Sequence, residues 1–249
     1  MKVKISATSD LHGNLPEINQ EFDLLLICGD ICPSHNHNVL YQKEWVETCF
    51  CEWVKYITNQ NNKVIIVPGN HDFYFQNILE ENKRDLEIKC LGKLKILYHK
   101  EYNEAFIGEN GEIHILKIFG TPYCSVFGNW AFMMSDEYLK GKYSEIPNDI
   151  DILISHDAPN IYGLGDITEG PYMKKGTGNK ILADEIYRIK PRIFNCGHFH
   201  SGNHKFQEHD GIWMSNVSFV NEEYRPSNPI LNYEYDPEKK IVYYNKNEN

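Results

Sequence analysis

Residues 63–72 read Lys63-Val64-Ile65-Ile66-Val67-Pro68-Gly69-Asn70-His71-Asp72. A short uncharged run of Val and Ile suits a β-strand covered on both faces, and Pro68-Gly69 ends it. Beyond the strand stand three groups that can bind cations or move protons. The same order recurs along the chain. Residues 3–7 lead into Asp10-Leu11-His12-Gly13-Asn14, and residues 23–28 into Gly29-Asp30. Residues 151–154 lead into Ser155-His156-Asp157, and residues 192–196 into Gly197-His198-Phe199-His200. In open α/β sheets, ligands bind outside the carboxyl ends of the strands. Five strands would therefore deliver Asp, Asn and His side chains to one rim. Five of the eleven histidines (His12, His71, His156, His198, His200) fall in these exits. Any one motif alone is weak, since a Gly-Asp after a strand is ordinarily a turn. Turns that arise by accident have no reason to share ligand chemistry five times.

Helical spacing fills the gaps. Residues 39–58 place Leu40, Trp45, Val46, Phe50, Trp53, Val54 and Ile57 on one apolar stripe, and residues 180–189 form a second helix that stops before Pro191. Further strands are expected at residues 94–98, 104–107, 113–119, 205–208, 212–215, 230–235 and 241–244. Asn110-Gly111, Asp210-Gly211 and Asp236-Pro237 supply turns between them. Alternating β and α elements with added β ribbons predict an α/β protein of two packed sheets with helices outside. With 249 residues, no long linker and no repeat, one domain over residues 1–249 is the expectation.

The composition is that of a globular protein, 41% apolar and 24% charged. A formal net charge of −10 disfavours a nonspecific grip on nucleic acid or anionic lipid, and leaves room for a small phosphate substrate because bound cations reverse the local field. The first residues turn polar at Thr8-Ser9-Asp10, before a signal-peptide core could form, and no run has the length of a membrane span. A cytoplasmic protein with no membrane partner is the expectation. The seven cysteines (Cys28, Cys32, Cys49, Cys51, Cys90, Cys124, Cys196) show no paired spacing and read as free thiols in a reducing compartment.

Imidazole and carboxylate ligands without thiolate suit Mn first, with Fe, Zn, Co or Ni as alternatives. Asp10, His12, Asp30, Asn70, His156, His198 and His200 exceed what one zinc ion needs, which points to two divalent metal ions sharing a carboxylate at ~3.5–4 Å. Such a pair polarises a phosphoryl oxygen and activates a water, the chemistry of phosphate-ester hydrolysis.

Asp10-x-His12, Gly29-Asp30, Gly69-Asn70-His71-Asp72, His156 and Gly197-His198-x-His200 resemble, in order, the five signature motifs of the calcineurin-like metallophosphoesterase superfamily. The resemblance implies a four-layer α/β/β/α sandwich of two mixed sheets flanked by helices. It implies that Asp10, His12 and His200 hold one metal, that Asn70, His156 and His198 hold the other, and that Asp30 bridges both. A hydroxide bridging the metals would be the nucleophile. His71 would protonate the leaving oxygen, with Asp72 as its orienting partner. A narrower resemblance is to the small metallophosphoesterase-domain-containing proteins, a branch linked to cyclic-nucleotide phosphodiesterase activity. It rests on Gly163-Leu164-Gly165-Asp166, Gly176-Thr177-Gly178 and residues 216–229. In that branch the Gly-Asp motif often continues to a glycine, whereas Pro33-Ser34-His35 follows here.

The expected substrate is thus a small-molecule phosphomonoester or phosphodiester. A protein phosphatase or a nuclease is the enzyme alternative, and a catalytically inactive partner-binding scaffold the other class. His35 and His37 read as polar loop histidines, Lys174 and Lys175 as an exposed connector, and Cys28, Cys32 and Cys196 as packing. Tyr123, Phe127 and Trp130 serve equally as core or as a surface that stacks on a base. His99, His114, His204 and His209 have no partner identifiable from sequence.

Overall fold

The computed structural model describes residues 1–108 and 111–245. In chain order its elements are β1 (Val3–Thr8), β2 (Leu24–Cys28), α1 (Val39–Trp45), a π-helical segment (Val46–Phe50), α2 (Cys51–Ile57), β3 (Lys63–Val67), α3 (Phe73–Asn77), α4 (Glu80–Lys89), β4 (Leu94–Ile96), β5 (Lys100–Ile107), β6 (Ile113–Thr121), β7 (Cys124–Ser125) and β8 (Met133–Met134). There follow α5 (Asp136–Ser144), β9 (Ile152–Ser155), α6 (Lys180–Ile189), β10 (Ile193–Cys196), β11 (Gln207–His209), β12 (Ile212–Asn216), β13 (Leu231–Asp236) and β14 (Ile241–Tyr243). Of the expected Asn110-Gly111 turn, Asn110 lies outside the described residues.

The large strands form two mixed sheets. One runs β14-β13-β1-β2-β3-β4, parallel from β1 to β4 and antiparallel at the β13–β14 edge. The other runs β11-β12-β10-β9-β6-β5, with β12, β10, β9 and β6 parallel and an antiparallel strand at each edge. The period-two alternation of β2 shows how they stack. Leu24, Leu26 and Cys28 point between the sheets, where Ile65 and Val67 meet Leu116, Ile118, Ile152, Ile154 and Ile193. Leu25 and Ile27 point the other way and pack under Val46, Phe50, Val54 and Leu86 of the helices. Phe119, Leu153, Phe194 and Met214 do the same on the far side, under Leu139, Tyr143, Leu182 and Ile186. Because both faces of each sheet are covered, the runs read as continuously apolar. The result is the expected four layers, helix on sheet on sheet on helix.

Three features depart from the sequence reading. Leu40 is 74% exposed, and the residue α1 buries is Gln42. The π segment adds to the turn and rotates the apolar face, so a stripe that holds from Val46 to Val54 does not extend back to Leu40. The helix α4, Glu-Glu-Asn-Lys-Arg-Asp-Leu-Glu-Ile-Lys, buries Lys83 and Leu86 and carries no stripe for periodicity to find. Cys51 and Cys90, expected as free thiols, are joined by a disulfide linking α2 to the end of α4, with Cα atoms 5.3 Å apart. Their 39-residue separation is closed only by the packing of the two helices. Cys28, Cys32, Cys124 and Cys196 are free and buried. Among the described residues no helix is long and apolar enough to cross a membrane.

Candidate metal centre

The carboxyl ends of β1, β2, β3, β9 and β10 meet at one edge of the sandwich. The exits of β1 and β2 are stitched together by Asp10 N donating to Gly29 O and His12 N to Asp30 O, both at 2.9 Å. Asp10, His12, Asp30 and His198 all have φ between 45° and 70°. Non-glycine residues held in this left-handed region cluster where function demands a particular direction of the side chain. The motif glycines make room across strands. A Cβ on Gly29 would lie 2.2 Å from His156 Nδ1, one on Gly69 2.3 Å from Asp30 Oδ1, and one on Gly197 2.4 Å from Asp10 Oδ2. Each glycine therefore admits a candidate ligand delivered by a different strand.

Three triads bring ligand atoms within 4.8 Å of one another: Asp10, His12 and His200; His12, Asp30 and His71; Asp10, Asp30 and His156. All are buried. Asp30 is central, with its Oδ2 3.6 Å from His12 Nε2, 3.5 Å from His156 Nε2 and 4.0 Å from His71 Nε2. His200 Nε2 lies 3.5 Å from Asp10 Oδ1. Asn70 Oδ1 stands 2.8 Å from His156 Nε2. The ring of His198 is 5.0 Å from that of His156, and its backbone N donates to both carboxylate oxygens of Asp10. The seven residues expected as ligands thus converge on one region, with His71 beside them.

The donor set fits cations. His156 Nδ1–H donates to Cys28 O at 2.9 Å and His200 Nδ1–H to Asn221 O at 3.1 Å, so that the neutral form of either ring carries its lone pair on Nε2. The Nε2 of His156 then faces the oxygen of Asn70, and that of His200 faces His12 Nε2 at 3.2 Å. Acceptors pointed at one another, with carboxylates between them, are what a cation reconciles. The electrostatics agree. Burial pushes the Asp30 carboxyl well above its ordinary range, and the Asp72 and Asp10 charges push it further. Burial would also raise Asp10, but without a cation the hydrogen bond and charge of protonated His200 outweigh it and hold its carboxyl low, and Asp10 raises His200 in return. Burial keeps the His12 and His198 rings neutral, as metal ligands must be, and lowers His71 to about 3.

Asp72 departs from its expected role. Its carboxylate accepts from the backbone N–H groups of Gly69, Ile31 and Cys32 at 2.7–3.0 Å, tying the β3 exit to the β2 exit. The partner of the His71 ring is instead His37, whose Nε2 is 2.9 Å from His71 Nδ1. A carboxylate at the first position after the His could serve backbone or ring, and only the tertiary contact decides. The sequence alone reads His37 as a loop histidine, and the structure sets it against His71. Other supports were also missed. Ser218 Oγ donates to Asp10 Oδ2 at 2.6 Å, and the buried Asn216 side chain donates to the carbonyls of Leu164, Gly197 and Phe199. Asn216 ends β12 and Ser218 follows it, so the strand-exit pattern could have flagged them. His204 bonds to Asn216 O and His200 O, propping the His200 loop.

The centre opens into a cleft of about 680 Å³ walled by Phe127, Trp130, Ile181 and Tyr224, with His71, His198 and His200 at its base. Phe127 is 59% exposed, and Tyr224 sits edge-on to His12 and His200 at 4.7 and 5.1 Å. Tyr123 packs into the core instead. Lys174 and Lys175 are exposed outside this cleft.

A sequence profile described as calcineurin-like phosphoesterase matches residues 3–233. The human metallophosphoesterase domain-containing protein 1 is 25% identical over 235 residues, 90% of this chain and 68% of that protein. An Emericella nidulans protein named "Probable rhamnogalacturonate lyase C" is 24% identical over 204 residues, covering 80% of this chain. The chain spans less than two thirds of the length of some curated relatives, 17% and 46% in two of them. In overall fold it is similar to the phosphopantetheinyl hydrolase of Mycobacterium tuberculosis, with a TM-score of 0.54, 15% identity, and 89% and 90% of the two chains covered.

Proposed function

Since the chain belongs to the calcineurin-like phosphoesterase family, we propose that it is a metal-dependent hydrolase of small phosphomono- or phosphodiesters, with cyclic nucleotides among the candidate diesters. One observation carries this: ligand groups from five strand ends converge on a single buried cluster beneath an open cleft. Asp10, His12 and His200 would hold one divalent ion, Asn70, His156 and His198 a second, and Asp30 would serve both. Mn is the first choice for this oxygen and imidazole set. When bound, the ions would activate a water and polarise the phosphoryl oxygen.

The chain's own residues do the rest. The Cys28 and Asn221 carbonyls fix the His156 and His200 tautomers, and the His198 amide and Ser218 hydroxyl hold Asp10. His71, with Nε2 toward the centre, protonates the departing oxygen. Trp130, Phe127 and Tyr224 form an apolar wall suited to an organic leaving group. The test is hydrolysis of 4-nitrophenyl phosphate and bis(4-nitrophenyl) phosphate during a Mn titration, followed by a panel of 2′,3′- and 3′,5′-cyclic nucleotides. Turnover should require the added ion. Full activity in chelator-treated protein would remove the proposal.

A further inference from the structure

The two nitrogens of His71 have different surroundings. Nε2 faces Asp30 Oδ2 at 4.0 Å, while Nδ1 lies 2.9 Å from Nε2 of His37. At that separation one hydrogen sits between the rings, and one ring donates while the other accepts. His71 can release a proton from Nε2 and still donate from Nδ1 only if His37 Nε2 is the acceptor. His37 is held for this task. Trp130 stands edge-on to it at 5.2 Å, Phe73 lies tilted against it at 5.5 Å, and Trp130 also lies 4.5 Å from the His71 ring. The same stretch of chain grips the His71 backbone. Buried Gln42 donates Nε2–H to His71 O at 2.8 Å and accepts from Tyr74 N at 2.9 Å. Asn38 fixes the start of α1 by accepting from the amides of Leu40 and Tyr41. Ring and peptide of His71 are therefore both clamped from residues 37–42. The Asp72 carboxylate is engaged by backbone amides.

We propose that His37 is a positioning residue that accepts the Nδ1–H of His71, so that the second proton the ring carries as the acid sits on Nε2 and is directed at the leaving oxygen. This rests on the proton-donor role given to His71 above. In the acid form the ring is an imidazolium with hydrogen on both nitrogens; as the P–O bond breaks, the Nε2 proton passes to the leaving oxygen, the Nδ1–H stays donated to His37, and the proton given up by the attacking water returns to Nε2. His37 gains and loses nothing.

The experiment uses Mn-loaded full-length protein and a series of aryl phosphates whose phenol leaving groups grow progressively less acidic. His37→Ala should lower kcat about 10- to 100-fold for the poorest leaving groups, the worth of one charge-assisted hydrogen bond, with KM and Mn content unchanged. The loss should shrink toward 4-nitrophenyl phosphate. His37→Gln, whose Oε1 reaches the place of the lost Nε2, should recover most of it. Ring ¹⁵N spectra of the metal-free protein should show His71 protonated at Nδ1, a preference lost in His37→Ala. The proposal is overturned by wild-type kcat on poor leaving groups in His37→Ala, by equal impairment of the Gln and Ala variants, or by a His71 Nδ1 without a proton. His71→Ala tests the underlying role separately. Equal losses for good and poor leaving groups would remove His71 as the acid, and the ring spectra would still decide whether His37 sets its tautomer.

Discussion

Gly69→Ala tests the claim that the strand exits are packed so closely that one methyl group displaces a metal ligand. Gly69 is not in the left-handed region, so alanine can adopt its backbone and the effect is steric. The new Cβ would stand 2.3 Å from Asp30 Oδ1, 2.4 Å from Asp30 N and 2.7 Å from His156 Cε1. The side-chain oxygen could swing away by giving up its bond from His71 N, but the backbone nitrogen cannot. Restoring a 3.4 Å contact from 2.4 Å moves the β2 exit by about 1 Å. Ligand distances tolerate about 0.2 Å, so Asp30 and His156 would leave the coordination sphere together. Overpacking of this kind costs about 1–3 kcal/mol. The assay pairs Mn binding, measured by titration and by metal content after dialysis, with urea unfolding in chelator. The variant should be less stable by that amount and retain at most about one ion, with affinity at least ~10-fold weaker. Two ions at wild-type affinity would refute the reasoning, whatever happened to stability.

Ser218→Ala removes the hydroxyl bonded to Asp10 at 2.6 Å and should weaken Mn binding about 10-fold by calorimetry while the fold persists; unchanged affinity would deny Ser218 that role. Cys51→Ala opens a loop of 39 residues, and the chain-entropy relation puts the loss near 4 kcal/mol in urea unfolding, with reductant lowering the wild type to match. A wild type indifferent to reductant would contradict the link. Burial drives the Asp157 carboxyl up to about 6, against bonds from Asn179 and the Ser125 and Ala158 amides. The folded pKa lies above the unfolded one, so the native state binds the extra proton between about pH 4 and pH 6, and its stability falls as pH rises through that window. Measured in chelator, Asp157→Asn should gain on the wild type by about 2 kcal/mol from pH 4.5 to pH 7, and a difference constant with pH would sink the argument.

What the sequence determined by itself follows from local chemistry. Uncharged runs such as residues 64–67 can be buried on both faces only in a covered sheet, and each ends in residues whose type declares ligand chemistry. That was enough for the layered fold, for the five strand exits, and for Asp10, His12, Asp30, Asn70, His156, His198 and His200 as one group. The tertiary structure alone decided which atoms meet. Asp72 turned to the amides of Gly69, Ile31 and Cys32 because those loops cross above β2 and β3, and His37 took the place beside His71 because α1 starts there. Cys51 found Cys90 through the packing of two helices, one of which has no readable stripe. Residue type constrains what a side chain can do, but its partner is set by contacts between segments distant in sequence, and these carry no local pattern.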